Sequence, residues 1–247
     1  MNTSNNSNQQ RIIVLDTETT GMNREGGPTY QGHRIIEIGA VEIINRKLTG
    51  RHFHVYIKPD REIQPDAIEV HGITDEFLTD KPDYQDVHQE FLDFIKGSEL
   101  VAHNAPFDVG FMDNEFNMLD PAIGKTEHYC KITDTLAMAK KIFPGKRNNL
   151  DTLCDRYGID NSHRTLHGAL LDAEILADVY LMMTGGQTAL EFNAGSQANS
   201  DSGSETVKRV AAGRKSLKVL YATADELNAH KDRLDIVEKA GQCLWRQ

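Results

Sequence analysis

Cysteine is scarce in this chain and poorly placed for cross-linking. Cys130, Cys154 and Cys243 are an odd number, widely spaced and without a Cys-x-x-Cys pair. That argues against a disulfide framework or a structural zinc site and points to reduced thiols. No apolar run approaches the roughly 20 residues that a membrane helix requires. The segment Met1 to Gln10 lacks a charged start, an apolar core and a cleavage pattern. It reads as a polar tail rather than a secretory signal, so the expected location is cytoplasmic. Internal repeats are absent. Net positive charge is missing too: the formal charge is −10. Lys and Arg normally supply most nucleic-acid affinity, so any nucleic-acid chemistry here would need bound cations or a partner that holds the substrate.

What remains is an ordinary globular composition, 26% charged and 39% hydrophobic in 247 residues, enough for one well-buried domain and additional chain. Arg11 to Asp16 is short, apolar and β-branched, and predicts a buried strand ending in a carboxylate. Arg34 to Ile44 and Phe53 to Lys58 predict two more strands, separated by the polar stretch Asn45 to Gly50, in an antiparallel meander. A loop follows over Pro59 to Pro82. Then come a helix over Tyr84 to Ile95, a strand over Glu99 to Ala102, a helix over Ala105 to Leu119, a strand over Tyr129 to Thr133 and a helix over Asp134 to Phe143. Helices over Asn149 to Tyr157 and Leu166 to Met183 complete an α/β domain with a mixed sheet over residues 11 to 184. Beyond it, 193 to 204 has almost no apolar side chain, and 185 to 205 is expected to be a flexible linker. The remaining 206 to 247 opens with a basic stretch, and Asp225 to Ala240 has helical spacing of Leu227, Leu234 and Val237.

Three patches carry chemistry. Asp16 and Glu18, two apart on a strand, point to one face and can chelate a hard cation. Taken alone, such a pair also fits a capped turn. Asp108 follows His103-Asn104-Ala105-Pro106-Phe107 near a predicted helix start, where the helix dipole alone would favour an acid. His167 and Asp172, somewhat more than one helical turn apart, can address a common site. A histidine near pKa ~6.5 suits proton abstraction from water at neutral pH. Asp172 suits a metal ligand.

Taken in order, Asp16-Thr17-Glu18-Thr19-Thr20-Gly21, His103-Asn104 with Asp108, and His167-x-x-x-x-Asp172 resemble the three motifs of the DEDDh exonucleases. The resemblance implies a ribonuclease H-like fold that cuts nucleotides from 3′ ends with two divalent cations, Mg2+ or Mn2+. It implies Asp16, Glu18, Asp108 and Asp172 as metal ligands and His167 as general base. Ile12 to Gly21, Gly32 to Glu42, Leu166 to Asp172 and Cys243 to Arg246 are further similar to the members that proofread for bacterial replicative polymerases. There the segment equivalent to Pro65 to Ile73 helps hold the terminal nucleotide, which adds Asp66 and His71 to Asp16, Glu18 and Asp172 as substrate contacts. Asp66 stands where that pattern has Glu, and its shorter reach makes His71 the stronger candidate. Gln187, Leu190 and Phe192 look like a sliding-clamp-binding peptide. By the same resemblance, 206 to 247 would bind the polymerase catalytic subunit, and a small accessory subunit is a further expected partner. Two alternatives stay open: an RNA-trimming DEDDh nuclease, and a catalytically silent scaffold between clamp and polymerase.

Overall fold

The computed structural model describes residues 10–164, 166–185, 221–241 and 245. Two compact units divide the chain after Glu191. In the first, β1 (Arg11–Thr19), β2 (Ile35–Ile44) and β3 (Lys47–Tyr56) form the antiparallel meander. β4 (Glu99–Ala102) and β5 (Lys131–Asp134) add to the other side of β1 in parallel. The order β3-β2-β1-β4-β5 places β1 at the centre of a mixed sheet. The turn between β2 and β3 is tighter than the polar stretch 45 to 50 suggests. Asn45 and Arg46 both take positive φ, 53° and 61°, as a two-residue hairpin of primed type requires, and β3 starts at once.

Helices α1 (Pro65–His71), α2 (Asp75–Leu78), α3 (Tyr84–Ile95), α4 (Ala105–Leu119), α5 (Thr135–Ile142), α6 (Leu150–Tyr157) and α7 (Ala169–Thr184) complete this unit. The first two lie where the sequence reads as loop, because α1 and α2 are too short to show a helical period. α1 starts on Pro65 and stops at Gly72, whose φ of 74° is a left-handed helix terminus.

β1 is buried on both faces, and its alternation sets up everything that follows. Ile13 and Leu15 pack into an aromatic cluster with Phe53, Phe91, Phe94, Phe111 and Phe116. Ile12 and Val14 pack on the opposite face against Ala173, Leu176, Ala177 and Tyr180 of α7. The even-numbered face of β1 therefore looks at α7. Cys130 and Cys154 are free and buried, and burial pushes both thiols up to about 11, which fits unreactive core residues.

The second unit contributes α8 (Ala224–Ala240), close to the predicted 225 to 240. Thr223 and Glu226 close a reciprocal capping box at its start. Leu227, Ile236 and Val237 are exposed on it.

Candidate active site

β1 outruns its parallel neighbour. Its pairing with β4 ends at Val14↔Val101, while its pairing with β2 continues through Asp16↔Gly39 and Glu18↔Glu37. The acidic end of β1 thus projects beyond the carboxyl end of β4, at the point where β1 has a parallel partner on one side and an antiparallel one on the other. Crevices at such points in α/β sheets are the usual place for ligands.

Asp16 and Glu18 continue the face begun by Ile12 and Val14, so they face α7, whose first turn holds Asp172. Gly39 makes that approach possible. A Cβ there would lie 2.1 Å from the Leu170 nitrogen and 2.2 Å from the Ala169 carbonyl carbon, inside the backbone of the helix start. One ligand atom each from Glu18, His167 and Asp172 lie within 4.8 Å of one another. His167 precedes α7 instead of opening it: Gly168 is the cap, and the helix begins at Ala169. The His167 backbone N–H donates to the Val70 carbonyl at 3.1 Å, which ties this loop to α1. Gly72 leaves room for the side chain of Leu166 beside that joint.

Asp108 arrives from the other face of β1. It lies in the first turn of α4, buried, and accepts a hydrogen bond from Thr17 Oγ1 at 2.8 Å. The start of α4 is fixed by Asn104, in the left-handed region at φ 70°, whose N–H donates to Asp134 Oδ1 at 3.0 Å. His103 hydrogen-bonds Thr135 through Nδ1 and is a partly buried support for this corner.

Electrostatics joins these groups into one site. Burial pushes the Asp16 carboxyl well above its usual range, with Asp108, Glu18 and Asp172 adding repulsion. Burial and the neighbouring charge of Glu37 push Glu18 up to about 8. Glu37 is itself buried and bonded to His54 Nε2 at 2.7 Å. Burial raises Asp108 to about 7, even though Thr17 hydrogen-bonds it. Asp172 behaves oppositely. Burial would raise it, but Arg164 hydrogen bonds at 2.5 and 2.7 Å and a contact with His167 hold it below the usual range. Carboxylates that repel one another this strongly fit a hard divalent cation with oxygen ligands, and the guanidinium of Arg164 already stands on Asp172 as a cation would.

The two substrate-contact candidates from α1 fare differently. His71 is buried beside the His167 loop, and its Nδ1 accepts the Ile73 N–H at 3.0 Å. Its proton therefore sits on Nε2, near the Thr19 carbonyl but outside bonding geometry. Asp66 is exposed, paired with Arg24 at 3.2 Å, and lines a cleft of about 520 Å³ that includes none of the five catalytic candidates. Gln187, Leu190 and Phe192 lie outside the described residues.

Sequence reasoning missed Gly39, Arg164, Thr17 and Glu37. An isolated glycine in the apolar run Ile35 to Val41 is a legible sign of close backbone approach. Arg164 gives no such sign, since only folding brings it onto Asp172.

A mixed sheet with acids gathered at the end of its central strand fits a nuclease, and residues 13–180 match the Exonuclease family, which makes this chain one. In fold the chain is similar to Exonuclease X in complex with 5′ overhanging duplex DNA, at 26% identity and a TM-score of 0.53 over 72% of this chain and 92% of that one. Across 96% of its length it is 61% identical to DNA polymerase III subunit epsilon of Salmonella typhimurium, covering 97% of that protein. It is 60% identical to the subunit of the same name from Escherichia coli, again covering 97%. The chain belongs to the DNA polymerase III epsilon subunit family, and its activity is that of a 3′→5′ proofreading exonuclease. That membership selects proofreading over both an RNA-trimming nuclease and a silent scaffold.

Proposed function

We propose that this chain hydrolyses the 3′-terminal phosphodiester of frayed DNA ends at the site formed by Asp16, Glu18, Asp108, His167 and Asp172. The observation that carries the reading is the convergence of Glu18, His167 and Asp172 within 4.8 Å over the end of β1, where Asp16 also faces. Asp16, Glu18, Asp108 and Asp172 would hold two divalent cations, Mg2+ or Mn2+. When bound, such ions supply Lewis-acid stabilisation of the charge that develops on the attacking and leaving oxygens. His167, half-exposed, takes the proton of the attacking water at Nε2. Asp172, with Oδ2 3.4 Å from His167 Nδ1, stabilises the imidazolium that results. The product is a nucleoside 5′-monophosphate.

Selection for mispaired ends needs no reading of bases, because a mispaired terminus costs less to unstack. The α1 end with His71, together with exposed Leu166, would meet the terminal nucleotide. Asp66 belongs to this set only as the outermost contact. The partners complete the reading: residues 187–192 engage the sliding clamp, 206–247 engage the polymerase catalytic subunit, and a small accessory subunit is a further partner. Exposed Leu227, Ile236 and Val237 on α8 support docking of that helix on another protein. A tether of this kind offsets the weak DNA affinity expected of a chain with net charge −10. The working location is the cytoplasm, at the replicating nucleoid.

A 5′-labelled primer with a mismatched 3′ end, incubated with Mg2+, tests the assignment. The expected result is a ladder of single-nucleotide steps, lost with chelator or Asp16→Ala and slowed about 10²- to 10⁴-fold by His167→Ala, the usual span of general-base catalysis. Undiminished cutting by both variants would move the site elsewhere.

A further inference from the structure

The segment between α6 and α7 brings its own cation into the site. Arg164 is only 8% exposed, and its guanidinium covers both oxygens of Asp172: Nε lies 2.5 Å from Oδ1 and Nη2 lies 2.7 Å from Oδ2. Nη2 also lies 2.8 Å from His167 Nδ1 and 3.3 Å from Nε2. Nη1 reaches outward to Asp151 Oδ1 on α6 at 2.9 Å, and that carboxylate is half-exposed. The fork is bidentate, the strongest way for one side chain to occupy a carboxylate.

This arrangement conflicts with the proposed chemistry in two ways. Asp172 cannot offer its oxygens inward to a divalent ion while the guanidinium holds both. His167 cannot present Nδ1–H to Asp172 while an arginine N–H donates to Nδ1, because that nitrogen is then an acceptor. A guanidinium and a divalent ion also repel at such short range in a site sheltered from water. The two cations exclude one another.

Resting on the reading that Asp16, Glu18 and Asp172 hold divalent ions, we propose that Arg164 is a displaceable internal cation. It neutralises Asp172 in the metal-free protein, and when a divalent ion binds it withdraws toward Asp151, freeing His167. Ion loading and release of the general base are then a single event, and the metal-free enzyme is held silent by its own side chain. The position suits such a movement. Arg164 lies in a connection whose described residues, between Tyr157 and Ala169, contain no helix or strand, and one of its contacts is already outside the site.

The test uses the full-length chain stripped with chelator, with Mn2+ binding followed through the electron paramagnetic resonance signal of the free ion. Arg164→Gln removes the competitor and should bind Mn2+ about 10-fold more tightly than the unmodified chain, equivalent to about 1.4 kcal/mol. It should also melt lower without metal and gain more on Mn2+ addition, since Asp172 then keeps only His167 as a partner until the ion arrives. Arg164→Lys, which keeps the charge but loses the fork, should fall between the two, and it supplies the measurement if the glutamine variant fails to fold. Unchanged or weaker Mn2+ binding in these variants would overturn the proposal and make Arg164 a support that holds Asp172 in place. An unmodified chain that binds no Mn2+ would remove the cation reading itself, and the proposal with it.

Discussion

Glu42 and Glu115 are buried as deeply as Glu18 and Asp108, yet their surroundings differ. Glu42 receives Arg11 at 2.5 Å, Thr49 at 3.0 Å and Arg51 at 3.4 Å, and although burial pushes its carboxyl up, these partners bring it below the usual range. Glu115 is gripped by Arg34 at 2.9 and 2.7 Å and also accepts the Ile35 N–H. Charges there are balanced, and the backbone is bolted to them. At the end of β1, Arg164 bonds only Asp172 of the four carboxylates, and burial, with repulsion from neighbouring acids, pushes the other three up. Within one sheet, then, balanced acids hold the structure together, while unbalanced acids store repulsion that a bound cation relieves.

The largest effect that can break this contrast is expected from Asp16→Asn. Excision in the primer assay should fall about 10³-fold, some 4 kcal/mol of transition-state stabilisation, as fits loss of an ion ligand. The same variant should raise the urea stability of the metal-free chain by about 1 kcal/mol, because a site tuned for function is destabilised in its unloaded state. A loss of stability instead would place Asp16 among the balanced acids. Glu115→Ala should do the reverse, costing about 3 kcal/mol in the same titration by leaving Arg34 only the exposed Asp60, with the rate per folded molecule retained. The smallest effect is in pH. Carboxyls raised in the folded state bind protons that the unfolded chain has released, so their contribution to stability is present at low pH and lost as pH rises. For Glu18 that window runs from 4.5 to about 8, and for Asp108 from 3.8 to about 7. Asp172, shifted down, is already ionised across most of this range and does not offset the trend. The melting temperature of metal-free protein should therefore decline from mildly acidic to mildly alkaline buffer, and the gain on adding Mg2+ should grow in step. A flat profile would show that the acids do not press on one another.

Much of this was legible before any coordinates. Strand alternation alone puts Asp16 and Glu18 on one face, and the order of elements gives the mixed sheet. The α4 boundaries agree with their prediction because Pro106 marks the start and apolar spacing carries the rest. Other features were not legible because they depend on contacts between distant segments. β1 runs on to Thr19 because β2 continues to pair with it, and no residue between Asp16 and Thr19 announces that. His167 reads as helical by spacing, but the close seat of α7 on Gly39 and the hydrogen bond to Val70 hold it in the loop before the helix. Arg164 is invisible for the same reason.

The site takes its parts from the first strand and the last helix of the nuclease unit, with α4 between them. A chain still being synthesised, or one cut by a protease anywhere between β1 and α7, therefore owns no complete blade. On the proposed assignment, hydrolytic power arrives only with the finished fold.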